Sequence, residues 1–277
     1  MTVDLAPLMK LRNGARIPLL GLGTWPLDNA QTAAAVEQAL ATGYRLIDTA
    51  ENYGNEAGVG EGVRRSGLPR EDVFITTKFN KEWHSYDGVR RAFEASAARL
   101  GVEYVDLLLI HWPNPGQDRY VEAFEGMAAL LKDGLVKAIG TSNFKPAHLR
   151  RLFDAGLVPE VNQIQLDPRH TRSDLVELHR EYGIATESWS PLGRGGSLLR
   201  EPATTQLADK YGRTPAQIVL RWQTQQGFIA IPKSSRPERL AENFGIFDFV
   251  LDGDELATLS ALDTGVADIY DADDFGH

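Results

Sequence analysis

Apolar positions along the chain follow a recurring order: an amphipathic stretch at helical spacing, a glycine, then a short run rich in β-branched residues or leucine. Ala33, Val36 and Leu40 keep helical spacing before Gly43 and the run Leu46-Ile47, and Val89, Phe93, Ser96 and Leu100 keep it before Gly101 and the run Val105 to Ile110. Phe124, Met127 and Leu131 precede Gly134 and Leu135 to Ile139, while Leu175, Leu178 and Tyr182 precede Gly183 and Ile184-Ala185. Glycine accepts the left-handed conformation in which helices often stop, so each glycine reads as a helix end and each following run as a buried strand. The pattern predicts strands near Leu19, Leu46, Val73, Val105, Val136, Val161, Ile184 and Ile229, with a helix after each. Such a β-α-β-α order favours a closed parallel barrel over a doubly wound sheet.

The two ends differ from this repeat. Leu8 to Leu20 pairs two apolar stretches around Asn13-Gly14, which predicts an N-terminal β-hairpin plugging the barrel. Asp252 predicts the start of a late helix, its carboxylate capping the N–H of Glu255 while Glu255 reaches back. Beyond it, Asp263 to His277 is acidic and unpatterned, either a fraying tail or a loop over the barrel mouth. Tyr270, set among Asp268, Asp271, Asp273 and Asp274, is what motivates the second of these, a tail that shapes access to the pocket. No Pro/Ser-rich linker divides residues 1–277, which read as one domain, a single (β/α)8 TIM barrel.

Composition narrows the partners. The chain has 277 residues, 43% of them hydrophobic, enough for a sizeable core. A net charge of -9 opposes nonspecific attraction to nucleic acid or anionic membranes. Cysteine is absent, which excludes disulfides, a thiol nucleophile and thiolate metal sites. Met1 to Leu11 lacks a signal-peptide pattern, and no apolar run is long enough to span a bilayer. The expectation is a cytoplasmic protein with no nucleic-acid, membrane or obligate protein partner.

In a parallel barrel the loops after the strands form the active face. Asp48 closes the second strand, Lys78 the third and His111 the fourth, while Ser142-Asn143, Gln163, Trp189 and Lys233 follow the fifth to eighth. Each alone is compatible with a surface ion pair, a turn cap or core packing. Their gathering on one rim points to chemistry. Tyr53 needs a neighbouring cation to act as an acid or base near neutrality, and Lys78 is a candidate. An ammonium about 4 Å away is expected to lower the phenol pKa by about 2 to 3, with Asp48 holding Lys78 charged. His111 is placed to hydrogen-bond a substrate oxygen.

The chain resembles the aldo-keto reductases over nearly its full length, and is similar to the bacterial branch that includes 2,5-diketo-D-gluconate reductases. The resemblance rests on Gly43 to Ala50 with Tyr53-Gly54-Asn55-Glu56, Leu107 to Pro113 (LLLIHWP), Gly140 to Phe144, Val161-Asn162-Gln163 and Ile231-Pro232-Lys233-Ser234. It implies an NADPH-dependent reductase of aldehydes, ketones or dicarbonyls, with Tyr53 as proton donor, Lys78 and Asp48 positioning it, and His111 orienting the substrate. Hydride would come from nicotinamide C4. The carboxamide would be held by Ser142, Asn143 and Gln163, and the ring would stack on Trp189. Ser190, Pro191, Leu192 and Gly193 would run along the pyrophosphate, beside the basic, glycine-rich Arg194-Gly195-Gly196. Thr24, Trp25 and Ile231 complete the expected cofactor contacts. Lys233, Ser234, Ser235, Arg236 and Arg239 would meet the 2'-phosphate, and Glu242 and Asn243 the adenine. Trp25, Trp83 and Trp112 would line the substrate pocket with Tyr53 and His111. Branch members are often monomers.

Two other readings compete. A metal-dependent barrel hydrolase would also gather His and Asp at strand ends, but His84, His111, His148, His170, His179 and His277 form no H-x-H or H-E-x-x-H pair, and no metal is expected. A cofactor-binding regulatory barrel with little turnover would share the fold. No dinucleotide fingerprint competes: Gly21-Leu22-Gly23 runs into Thr24-Trp25-Pro26, and Gly58-Val59-Gly60 falls within a predicted helix.

Overall fold

The computed structural model describes residues 5–265 and 269–276. β1 (Leu8–Lys10) and β2 (Arg16–Pro18) pair antiparallel around the turn at Asn13-Gly14, with Leu8 opposite Pro18. Leu11 and Ile17 pack against Leu46, Leu107, Val161, Ala185 and Ile229, so the hairpin closes the barrel floor. Eight parallel strands follow: β3 (Leu22–Gly23), β4 (Leu46–Asp48), β5 (Phe74–Phe79), β6 (Val105–Ile110), β7 (Val136–Ser142), β8 (Val161–Gln165), β9 (Ala185–Trp189) and β10 (Ile229–Ala230). The ring closes where Leu20 bridges Ala230 and Gly23 bridges Lys233. Glycine is required at position 23, because a Cβ there would stand 2.9 Å from the Ile231 carbonyl oxygen.

The first barrel strand lies where the pattern puts it, near Leu19. Leu19 joins hairpin to barrel: its N–H donates to the Pro7 carbonyl at 2.9 Å and its carbonyl accepts from Ala230 N–H at 2.9 Å. The helices are α1 (Asn29–Thr42), α2 (Glu56–Ser66), α3 (Tyr86–Leu100), α4 (Tyr120–Lys132), α5 (Pro146–Asp154), α6 (Ser173–Tyr182), α7 (Pro202–Tyr211), α8 (Pro215–Gln225), α9 (Pro237–Phe244) and α10 (Gly253–Ser260). The seventh crossover holds both α7 and α8 where the pattern predicts one helix. Gly212 at φ 60° ends α7, and the Thr214 hydroxyl, accepting from Gln217 N–H, starts α8 anew. The Asp252–Glu255 capping box forms as expected. Gly58-Val59-Gly60 lies inside α2, where a Cβ on Gly60 would meet the Leu100 carbonyl oxygen at 1.9 Å; its small residues serve helix packing.

Strand alternation separates two apolar layers. Leu46, Phe74, Leu107, Leu109, Val161 and Ala185 share the barrel interior with the hairpin. Ile47, Ile75, Leu108, Ile110 and Ile164 face outward under the helices. The same parity carried upward puts Asp48, Lys78, His111, Ser142, Gln163 and Trp189 on the interior side at the C-terminal mouth.

The tail adopts the second of its two expected arrangements over 269–276. Phe275 meets Trp112 edge-on at 4.7 Å and stacks on Tyr270 at 4.6 Å. Lys145 pairs with Asp271 and, at 2.7 Å, with Asp273, which also contacts His148 at 2.9 Å. Asp268 and His277, part of the tail expectation, lie outside the described residues. No helix among the described residues is long and apolar enough to cross a membrane.

Candidate active site

β4 and β5 lie side by side with Asp48 opposite Thr76, so Lys78, two residues farther along β5 on the same face, reaches back toward Asp48. The Lys78 ammonium is fully buried. It donates to Asp48 Oδ1 at 2.7 Å, to the Thr49 carbonyl at 3.0 Å and to Tyr53 Oη at 3.4 Å, which occupies its three N–H bonds. Burial alone favours the neutral amine, but the Asp48 charge, then Tyr53, outweigh it and hold Lys78 above the ordinary lysine pKa. Burial pushes the Asp48 carboxyl up, against the pull of Lys78 and of the Gln163 hydrogen bond.

Tyr53 departs from the sequence expectation. Its pKa lies above the ordinary tyrosine value, because burial of the hydroxyl outweighs Lys78, and the Asp48 and Glu187 carboxyls add to the rise. The expected lowering counted the Lys78 charge without the cost of desolvating a phenolate. The group is therefore a held proton rather than a ready base. Trp25 and His111 flank its ring, at 5.3 Å and 5.7 Å between centroids.

The rim opposite is equally fixed. Gln163 donates through Nε2 to Asp48 Oδ2 at 2.8 Å and to Glu187 Oε2 at 3.0 Å. Asn143, at φ 64°, donates to the His111 carbonyl at 3.1 Å and to Ser142 Oγ at 3.0 Å, and its Oδ1 accepts from the Trp189 indole N–H at 2.9 Å. Trp189 is thus held edge-on to the polar pair beside it. The next loop turns at Ser190 (φ 53°) and Gly193 (φ 67°), with the Pro191 carbonyl pinned by Gln223 at 2.8 Å and Leu192 packed on the core. Arg194 lies over Trp189 at 4.9 Å and under Tyr270 at 5.0 Å, joining this loop to the tail.

Other expected residues divide. Thr24 is fully buried and its hydroxyl donates to the Asp48 carbonyl at 2.9 Å, tying the first loop to β4. Trp112 is buried against His111 and Phe275. Trp83 donates its indole N–H to Glu51 at 2.8 Å and packs partly on the outer core. Ile231 donates its N–H to the Ser188 carbonyl at 3.2 Å, placing Lys233 at the rim. Ser234 Oγ accepts from Arg236 N–H at 3.2 Å. Lys233, Ser235, Arg236 and Arg239 are exposed, and among the described residues none of the three cations has an acidic partner. Asn243 is buried, and Glu242 accepts from Thr214 at 2.8 Å. Among the described residues no group of three or more His, Asp or Glu is arranged to hold a metal ion.

Sequence reasoning missed Glu187, a fully buried acid beneath Gln163. Its inward parity between Ala185 and Trp189 was the available signal. It also missed Lys145 and His148, whose roles arise only from the tail folding back.

Residues 19–264 match the aldo/keto reductase family. An aldo-keto reductase of Mycolicibacterium smegmatis is 47% identical over 262 residues, covering 94% of this chain and 95% of the relative. Methylglyoxal reductase DkgA of Escherichia coli is 46% identical over 271 residues, covering 97% and 98%. A Gox0644 mutant solved in complex with NADPH superposes with a TM-score of 0.90 at 43% identity, covering 94% of each chain. With its barrel, its strand-end residues and these relatives in agreement, the chain belongs to the aldo/keto reductase family.

Proposed function

We propose that this chain is an NADPH-dependent carbonyl reductase in which Tyr53 protonates the substrate oxygen. The observation that carries the reading is the buried Asp48–Lys78–Tyr53 chain, with Lys78 Nζ 2.7 Å from Asp48 and 3.4 Å from Tyr53 Oη. NADPH, the ligand of the Gox0644 structure, supplies a hydride when bound. The residues fit such a dinucleotide: Trp189 offers a ring face beside Ser142 and Asn143, and Lys233, Arg236 and Arg239, without an acidic partner among the described residues, lie before and at the start of α9.

Tyr53 gives its proton as charge develops on the carbonyl oxygen, and Lys78 stabilises the phenolate left behind. Asp48 keeps Lys78 charged and fixed. His111 hydrogen-bonds the same oxygen, orienting the carbonyl. Trp25 and Trp112 form an apolar wall, and 269–276 narrows the mouth, which excludes water from the developing charge. Aldehydes, ketones and dicarbonyls fit this apolar, singly polar site, and the E. coli relative's name puts vicinal dicarbonyls first.

A steady-state screen of these carbonyls with NADPH and NADH tests the reading. Carbonyl-dependent oxidation of NADPH is expected. NADPH binding without turnover across the panel would favour a regulatory barrel. The proposal includes one domain over 1–277, supported by an outer core cluster running from Leu20 to Leu259. It also includes a monomeric, cytoplasmic protein, which light scattering and cell fractionation check.

A further inference from the structure

Glu187 is the buried acid that the reduction scheme does not use. Its Oε2 accepts from Gln163 at 3.0 Å, while its Oε1 is buried and has no hydrogen-bond partner among the described residues. The Lys78 ammonium pairs with Asp48 and not with Glu187. A fully buried carboxylate without a cation of its own is strongly disfavoured, so Glu187 holds a proton. Glu187 and Trp189 stand two positions apart on the inner face of β9, roughly 6 to 7 Å at strand rise, with Glu187 the deeper.

We propose that Glu187 is a redox-linked proton site, neutral when the cofactor ring above it is neutral, as in NADPH, and ionised when that ring is cationic, as in NADP+. The inference rests on reading Trp189 as the ring's platform. The balance is simple: the carboxylic acid becomes a carboxylate, the proton leaves to solvent, and the new negative charge offsets the ring's positive one. The groups facing Glu187 are Asp48 from β4, Tyr53 from the turn after it and Lys78 from β5; Gln163 from β8 and Ile229 from β10 are uncharged. Lys78 offsets the Asp48 charge only in part at Glu187, and Tyr53 keeps its proton. Burial, then the Asp48 charge, push the Glu187 pKa up to about 8, against Gln163 and Lys78, within reach of a nearby cation.

The test is fluorescence titration of wild type and Glu187→Gln with NADPH and NADP+ from about pH 6 to about pH 9. The 2'-phosphate is common to both cofactors, so its titration cancels in the ratio of their Kd values. In wild type the ratio Kd(NADP+)/Kd(NADPH) should fall on the order of tenfold as pH rises through Glu187's titration, and Glu187→Gln should flatten it. A flat wild-type ratio, or an unchanged slope in the variant, overturns the inference while leaving the reductase reading intact. Failure of both cofactors to bind overturns both. If Glu187→Gln does not fold, calorimetry of the wild type near pH 7.5 in buffers of different ionisation enthalpy decides. Greater proton release with NADP+ than with NADPH supports the site, and equal release overturns it.

Discussion

The floor of the candidate site and the rim proposed to meet the cofactor carry charge in opposite ways. Asp48, Lys78 and Glu187 are sealed inside the barrel, each exposed by 2% or less. Lys233, Arg236 and Arg239 stand in solvent at the start of α9 with no acidic partner among the described residues. Inside, each charge is meaningful only with its neighbours, because desolvation makes an unpaired charge costly. Outside, each cation is already solvated and contributes only when an anion arrives. The first arrangement suits a proton held in one place. The second suits recognition of a phosphate that comes and goes. Substitutions in the floor should therefore stop chemistry, while those at the rim should weaken one ligand.

The largest effect expected is for Lys78→Met, which strands Asp48 without its cation and leaves the Tyr53 phenolate unsupported. It should lower kcat by about 100- to 10,000-fold, with NADPH affinity preserved in a fluorescence titration. Arg239→Ala comes next. It should weaken NADPH binding by roughly tenfold to a hundredfold and leave NADH binding nearly unchanged. Equal losses for both cofactors would remove Arg239 from the phosphate site and blur the contrast between floor and rim.

Smaller effects sharpen the picture. Removing residues 269–277 deletes the Phe275–Trp112 contact and the Lys145 ion pairs, and should shift the ranking of carbonyl substrates in kcat/KM by about two- to tenfold. An unchanged ranking would reduce the tail to a surface strap. The smallest effect concerns pH. Because burial holds the Tyr53 pKa above its ordinary value, the protonated donor persists below roughly pH 10 and is lost only above it. Reduction rates measured under hydride-limited conditions should show no loss of a Tyr53 proton between about pH 6 and about pH 9. A fall near neutrality assigned to Tyr53 would restore the lowered phenol expected from sequence.

That discrepancy marks how far the sequence was legible. That Asp48, Lys78 and His111 meet at one mouth was readable because strand periodicity puts alternate residues on one face and a parallel barrel collects strand ends, whereas Tyr53 sits on the turn after β4 and is brought to Lys78 by that turn. The direction of the Tyr53 shift was not, since it depends on how much water the completed mouth excludes. Glu187 was half legible: its parity pointed inward, but its burial beneath Gln163 depends on a side chain that the fold brings from the neighbouring strand. The doubled helix of the seventh crossover was marked by Gly212 and Thr214, yet the apolar pattern alone merged the two. The tail's position was hidden because Lys145 and His148 meet Asp273 across more than a hundred residues of chain. The Trp83 indole bond to Glu51 likewise joins residues 32 apart, which no local pattern announces.

Whether Tyr53 supplies the proton is decided by single-turnover kinetics of Tyr53→Phe. With NADPH prebound and a saturating dicarbonyl, cofactor oxidation is followed by absorbance in the stopped flow. The account predicts an NADPH Kd close to that of wild type and a reduction step slowed by about 100- to 10,000-fold. Near-wild-type rates in the variant, under conditions where hydride transfer limits the signal, would contradict it.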